Sequence, residues 1–222
     1  MKTPESFVDI YTNRVKYPKT AHLPFSPGLQ NDDRVIETLN GFVGHEIVAT
    51  EKMDGENATL AKDYYHARSL DSRHHQSRNW IKSFHGEISY QIPHGWRICG
   101  ENMYAEHTIP YDQLESYFYG FSIWDEYNFA LSWDETLRWF AKLNITPAPV
   151  LYRGAFNIDV LKKLAVSLDV EKQEGFVIRV VDEFDFKDFE TKTAKWVRKG
   201  HVQTAAHWMH QEVIPNKLKC ST

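Results

Sequence analysis

The chain has 222 residues, enough for one large domain and too few for two domains of full size. Hydrophobic residues make up 42% and aromatic residues 14% of the sequence, which excludes an intrinsically disordered chain. With 26 basic and 30 acidic side chains the formal net charge is −4, which excludes a generally cationic nucleic-acid coat protein; any polyanion must meet a local basic patch.

The spacing of hydrophobic residues predicts short strands mixed with helices. Up to residue 124, the predicted elements are an extended N-terminal arm over 1–30, a helix over 32–39, strands over 46–50, 58–61 and 64–68, a helix over 77–88, and strands over 97–101 and 118–124. Beyond it they are helices over 132–143 and 157–168, strands over 176–181 and 194–197, and a final helix over 202–213.

Local pairing and helix caps support these assignments. Residues 64–68 are expected to form a hairpin with 58–61. Ser132 with Glu135 matches a capping box, and Asn157 is a favoured N-cap residue. Short strands that pair with their neighbours indicate an α+β fold with antiparallel sheets. Because no change in composition marks a boundary, we expect a single domain over 1–222 with a short helical tail at 200–222.

Cysteine content and apolar runs bear on the compartment. Cys99 and Cys220 are the only cysteines and form no CxxC pair, which predicts a reducing environment without disulfides or a cysteine zinc cage. No apolar run is long enough to span a membrane, and residues 1–20 lack the apolar core of a signal peptide. We therefore expect a cytoplasmic protein without a membrane partner.

The most informative stretch is Thr-Glu-Lys-Met-Asp-Gly-Glu-Asn, residues 50–57. A lysine at a strand end, followed by an acid and a glycine turn, can direct its amine into a cleft. Lys52 would act as a nucleophile only where burial or nearby cations disfavour its ammonium form. Taken alone, the Lys-x-Asp-Gly tetrapeptide is more typical of a hairpin turn with a solvated lysine.

Further segments follow this lysine in an order that resembles the covalent nucleotidyltransferases, the superfamily of ATP-dependent ligases and mRNA capping enzymes. The matching residues are Lys52 in Lys-Met-Asp-Gly, Arg68 in His-Ala-Arg-Ser, Glu101 in Cys-Gly-Glu-Asn, Phe121 in Phe-Tyr-Gly-Phe-Ser-Ile, Glu174 in Glu-Gly-Phe-Val-Ile-Arg and Lys195 in Ala-Lys-Trp-Val-Arg. Asn57, the aromatic strand around Phe121, and Arg179 are most similar to RNA ligases of the nick-sealing phage type.

The resemblance implies an adenylyltransferase fold of two packed antiparallel sheets, flanked by helices, with the ATP cleft between them. It implies ATP-dependent joining of RNA 3′-OH and 5′-phosphate ends through lysyl-AMP on Lys52 and an adenylated RNA 5′ end. The implied cofactors are ATP and Mg²⁺, for which Mn²⁺ is expected to substitute. Glu174 would hold the metal directly or through water, since Mg²⁺ prefers oxygen ligands.

The resemblance also implies a role for each matched residue. Glu101 would accept hydrogen bonds from ribose hydroxyls, Phe121 would stack on adenine, and Lys195 would neutralise the transferring phosphoryl group. The full set of predicted nucleotide-binding residues is Glu51, Asn57, Arg68, Glu101, Phe121, Glu174, Lys195 and Arg198. Arg179, and also Arg68, would serve the phosphates or the incoming 5′-phosphate end.

Two departures from the family pattern leave questions open. The last motif usually carries two lysines two residues apart, but position 197 is valine, so the second cation is either Arg198 or Lys199. We expect no counterpart of the family's second domain in this sequence, which leaves the source of RNA-end recognition open, a partner protein being one alternative. The chain itself is expected to be a monomer.

The segment 68–82 is the predicted RNA-phosphate groove. It carries the tentative phosphate contacts Arg73 and Arg78 against one acid, Asp71, although a solvated helix face would look the same. The histidines, including His207 and His210, are a weak zinc signal. The alternatives are a DNA ligase or a capping guanylyltransferase of the same superfamily, or a non-catalytic RNA-binding module.

Overall fold

A computed structural model describes residues 14–30, 33–70, 73–200 and 212–220. In chain order the strands are β1 (Glu46–Glu51), β2 (Glu56–Ala61), β3 (Tyr65–Ala67), β4 (Arg97–Asn102), β5 (Phe118–Trp124), β6 (Phe129–Ala130), β7 (Thr146–Pro147), β8 (Val150–Ala155), β9 (Gly175–Val180), β10 (Phe184–Asp185) and β11 (Thr193–Val197). The helices are α1 (Asn79–Ile88), α2 (Trp133–Lys142), α3 (Ile158–Ser167) and α4 (Phe189–Lys192).

The strands form two sheets. One sheet has the order β11-β9-β1-β8, and the other has the order β10-β6-β5-β4-β2-β3 with β7 added beside β5. Every pairing between these strands is antiparallel except that of β5 with β7. The predicted α+β fold with two antiparallel sheets is therefore confirmed, with one short parallel pair that the sequence did not indicate.

The turn after β1 carries the chain from the first sheet into the second. It is not a hairpin, because β1 pairs with β8 and β9 whereas β2 pairs with β3 and β4. A Cβ atom on Gly55 would lie 2.6 Å from the Asn102 carbonyl oxygen, so glycine is required at this approach. Asp54 stabilises the turn by accepting hydrogen bonds from the backbone N–H groups of Thr108 and Ile109. Lys52 therefore lies at the junction of the two sheets.

The local helix signals are confirmed. Ser132 Oγ accepts a hydrogen bond from the Glu135 N–H at the start of α2, and Asn157 Oδ1 accepts from the Asp159 N–H at the start of α3. The β2–β3 hairpin also forms as predicted. These features depend on residues two to nine apart, which is why the sequence alone predicts them.

The helix predicted over 32–39 is wrong, because its described part, residues 33–39, contains no helix. Val35 instead forms an isolated bridge with His22 of the arm, and the Ile36 N–H donates to the His22 carbonyl. The backbone of this segment therefore pairs with the arm instead of forming helical turns. The predicted final helix over 202–213 lies outside the described residues, apart from its last two positions. No helix in the described ranges is long and apolar enough to cross a membrane.

Candidate active site

Lys52 and Glu174 form the closest charged pair at the junction of the sheets. The Lys52 Nζ lies 2.5 Å from Glu174 Oε2, and the Glu174 side chain is fully buried. The Lys52 N–H also donates to the Gly175 carbonyl. A Cβ on Gly175 would lie 2.0 Å from the Trp196 carbonyl oxygen, so only glycine allows the close approach that places Glu174 beside the lysine.

The surrounding charges decide the protonation of Lys52. Burial disfavours its ammonium form, but the carboxylates of Glu174 and Glu101 outweigh burial, so the pKa of Lys52 is raised above its ordinary value. In the ligand-free protein this lysine is therefore an ammonium ion held by Glu174. A neutral, nucleophilic amine at this position would require another cation to take over the negative charge of Glu174.

Glu101 lies across from Asn57 in the β2–β4 pairing. Burial raises the pKa of Glu101 to about 8, with Lys52 opposing that shift and Glu174 adding to it. A carboxyl group here can accept a hydrogen bond from a hydroxyl when it is ionised and can also donate one when it is protonated. The Asn57 Oδ1 is buried and has no hydrogen-bond partner among the described groups, so it is an acceptor available to a ligand.

Phe121 is partly buried in β5, and a residue of the arm lies against it. The Tyr17 ring centroid is 5.2 Å from that of Phe121 in an edge-on arrangement, and 5.4 Å from that of Phe189. Burial raises the pKa of Tyr17, so its hydroxyl stays neutral. The sequence pattern did not reveal this contact because the arm carries no periodicity that marks Tyr17 as buried.

Lys195 is nearly buried in β11 and pairs with an acid from outside the predicted motifs. Its Nζ lies 3.4 Å from Asp33 Oδ1, at a sequence separation of 162 residues. Burial, and secondarily the charge of Lys52, lower the pKa of Lys195, whereas Asp33 opposes this shift. Asp33 is not among the predicted site residues, and nothing in its local sequence marks it.

The two candidates for the second cation differ in their surroundings. The Arg198 N–H donates to the Glu174 carbonyl, and its Nε is buried without a partner among the described groups. Lys199 is exposed, and Val197 is 1% exposed. Arg198 is therefore better placed than Lys199 to face a ligand at Glu174. Arg68 follows β3 and is partly exposed; its N–H donates to the Asn57 carbonyl.

Two arginines assigned to substrate phosphates are engaged within the protein. Arg78 donates to Glu56 through Nε and Nη2, and its Nη1 donates to the Arg73 carbonyl. Arg179 donates through Nη2 to the Leu131 carbonyl at 2.6 Å, and burial lowers the pKa of Arg179 to about 10. Both arginines therefore have partners within the protein, although Arg179 Nη1 is buried without a hydrogen-bond partner among the described groups. Their assignment to substrate phosphates stays a prediction.

Glu51 and the histidines complete the list of predicted residues. Glu51 Oε2 accepts a hydrogen bond from Gln173 Nε2 at 2.9 Å, and burial raises the pKa of Glu51. No group of three or more His, Cys, Asp or Glu side chains in the described ranges could hold a metal ion by itself. His207 and His210 lie outside the described residues. A divalent cation at Glu174 would therefore need phosphate oxygens or water as its other ligands.

Comparisons with known proteins agree with this arrangement. A family model described as RNA ligase matches residues 45–197, a range that contains all the strands from β1 to β11. The structure of Naegleria gruberi RNA ligase with PPi aligns with a TM-score of 0.54 and 18% identity, covering 82% of this chain and 57% of that one. A mutant of the same ligase with ATP and Mn aligns with a TM-score of 0.52 and 17% identity, covering 82% and 58%.

These identities establish a shared fold, and the chain spans less than two thirds of the length of the ligase it matches. No curated protein sequence matches the chain.

Proposed function

Because the chain belongs to the RNA ligase family, we propose that it is an ATP-dependent RNA ligase that joins 3′-OH and 5′-phosphate ends. The observation that carries the proposal is the buried ion pair of Lys52 and Glu174 where the two sheets meet. An amine held beside a buried carboxylate is suited to covalent phosphoryl transfer.

The reaction has three steps. The Lys52 amine attacks the α-phosphorus of ATP; an N–P bond forms, the bond to the β-phosphate oxygen breaks, and pyrophosphate leaves. An oxygen of the RNA 5′-phosphate then displaces the lysine, which gives an adenylated RNA end. Finally the 3′-OH loses its proton and its oxygen attacks the phosphorus of the RNA 5′-phosphate, so that the new phosphodiester bond forms. AMP leaves with the electron pair of the broken P–O bond. A divalent cation supplies charge neutralisation on the phosphoryl oxygens.

We assign one of the predicted residues to the metal and the others to the nucleotide. Glu174 would hold Mg²⁺ or Mn²⁺, directly or through water, because its carboxylate is buried beside the reacting amine. If the cation neutralised the Glu174 carboxylate, the ion pair with Lys52 would weaken. The pKa of Lys52 would then fall, and its amine would lose a proton. The proposed nucleotide contacts are Glu51, Asn57, Arg68, Glu101, Phe121, Lys195 and Arg198.

The first test is covalent labelling with nucleotides that carry the label at the α-phosphate. We expect label from ATP to remain on the protein after denaturation, with a mass increase of one AMP, and no adduct from GTP. A GTP adduct would identify a capping guanylyltransferase. Binding of RNA without any nucleotide adduct would identify a non-catalytic RNA-binding module.

For RNA binding we propose a basic pocket formed by β3, the start of α1 and the arm. It has a volume of about 170 Å³, and the cations that line it are Arg14, Arg73, Arg78 and Lys82. Glu56 neutralises Arg78, which leaves Arg73 and Lys82 as exposed cations on the chain segment predicted for RNA. In a chain of net charge −4, such a local cluster suits backbone phosphates.

Replacement of Arg73 and Lys82 together by alanine is expected to weaken RNA sealing without changing lysyl-AMP formation. Loss of two phosphate contacts should make the salt dependence of RNA binding shallower by roughly 1.5 to 2 log units per log unit of salt. Replacement of the exposed Lys162 and Lys163 of α3 removes the same charge and is the control. Equal effects of the two double variants would show that only net charge matters.

A further inference from the structure

Two ammonium groups converge on one carboxylate oxygen beside the proposed nucleotide cleft. Asp33 Oδ1 lies 3.4 Å from the Lys195 Nζ and 3.5 Å from the Lys19 Nζ. Lys195 and Asp33 are nearly buried, whereas the Lys19 side chain is 31% exposed. Two lysines around a single anionic oxygen form a cradle that would serve a phosphate oxygen equally well.

The arm holds Lys19 in this place by pairing with β11. The Lys195 N–H donates to the Ala21 carbonyl at 2.8 Å, and the Leu23 N–H donates to the Lys195 carbonyl at 2.7 Å. Ser26 Oγ accepts a hydrogen bond from the Val197 N–H at 2.9 Å. The arm that carries Lys19 is thus hydrogen-bonded to β11, the strand that carries Lys195.

The second oxygen of Asp33 is also fixed. Asp33 Oδ2 accepts a hydrogen bond from the Gln30 N–H and lies 3.1 Å from His22 Nε2. The His22 Nδ1 in turn contacts Ser26 Oγ at 2.8 Å. Burial, and secondarily the charge of Lys195, lower the pKa of His22 to about 4, so this histidine is neutral and adds no third cation. The charge of the cradle therefore comes from its two lysines.

This arrangement bears on the departure in the last motif. Val197 occupies the position where the family pattern has its second lysine, and its side chain is buried. Lys19 brings an ammonium group to the side of Lys195 from a different part of the chain. Transfer of a phosphoryl group creates negative charge on the leaving oxygen, which two positioned cations stabilise better than one.

We propose that Lys19 and Lys195 bind the pyrophosphate portion of ATP, and that Asp33 occupies this anion site until the nucleotide enters. The inference rests on the proposed adenylation. As the bond from Lys52 to the α-phosphorus forms and the bond to the β-phosphate oxygen breaks, the electron pair stays on pyrophosphate, where the two ammonium groups meet it. Lys19 is then a residue that contacts the leaving group, and Asp33 is a competing anion.

The test is calorimetric binding of inorganic pyrophosphate in the presence of Mg²⁺. Lys19→Ala is expected to weaken binding about 10- to 100-fold, the effect of one lost charge-assisted contact. Asp33→Asn is expected to tighten it, because the competing charge is gone. Lys16→Ala removes the same charge from an exposed position on the arm and should bind like the wild type.

A second measurement separates this role from a structural one. Sealing of RNA that is already adenylated involves no pyrophosphate, so Lys19→Ala should lose adenylation but retain that sealing. Unchanged pyrophosphate binding in Lys19→Ala, weaker binding in Asp33→Asn, or parallel loss of both reactions would overturn the proposal. Absence of lysyl-AMP in the wild type would instead overturn the proposed function, and pyrophosphate binding would still be measurable.

Discussion

Replacement of Lys52 by alanine is expected to abolish self-adenylation while sealing of pre-adenylated RNA remains measurable. The bond between Lys52 and AMP forms in the first step and breaks in the second. In the last step AMP is already on the RNA. Because alanine has no amine, no AMP adduct should form, and the signal for covalent labelling should fall to background, a loss of at least about four orders of magnitude. Single-turnover assays with labelled ATP and with adenylated RNA measure the two activities separately.

Lys162→Ala is the matched control for this experiment, because Lys162 also lies near an acid, Asp159, but is exposed on α3. It should leave both activities unchanged. If a folded Lys52→Ala variant lost both activities to the same extent, Lys52 would not be a dedicated nucleophile of the first step.

Replacement of Glu174 by glutamine is expected to reduce adenylation by about 10- to 100-fold near neutral pH, the scale of losses when groups around a bound metal are changed. Glutamine keeps the size of the side chain but removes the charge that would attract the divalent cation. Raised Mg²⁺ or Mn²⁺ should restore part of the activity. A loss that does not respond to metal would assign Glu174 to orientation of the nucleotide.

The pH dependence of the same variant has a defined sign. In the wild type the pKa of Lys52 is raised mainly by Glu174 against the effect of burial, so adenylation should increase with pH as the amine loses its proton. Without the charge of Glu174 the pKa of Lys52 falls, and the residual activity should reach its plateau at a lower pH. Glu171→Gln, at an exposed position three residues earlier, should leave the profile unchanged.

The sequence by itself determined the features that depend on neighbouring residues. The caps at Ser132 and Asn157 and the β2–β3 hairpin follow from spacing alone. The lysine after β1 and the acid before β9 are each recognisable in a short segment, because a strand end followed by glycine has a local pattern. These two and four further segments, in their order along the chain, carry the family resemblance that implied the fold.

Other segments have local sequence patterns that are weak or misleading, and their structure was not predicted. Strand β8 lies at the edge of its sheet and is largely exposed, so it has no alternation of apolar residues that would predict it. The apolar residues at Val35 and Ile36 have helical spacing but pair with the arm. In both cases the long-range backbone partner decides the structure, and a short window of sequence does not contain it.

Only the tertiary structure decided which partner each charged group has. A sequence identifies Arg78, Arg179 and Lys195 as cations but gives no information on the acids or carbonyls beside them. Arg78 pairs with Glu56, and Arg179 donates to the Leu131 carbonyl. Lys195 meets Asp33 across 162 residues of chain. Electrostatic energy depends on distance in space and on burial, and both are set by how the sheets and the arm pack together.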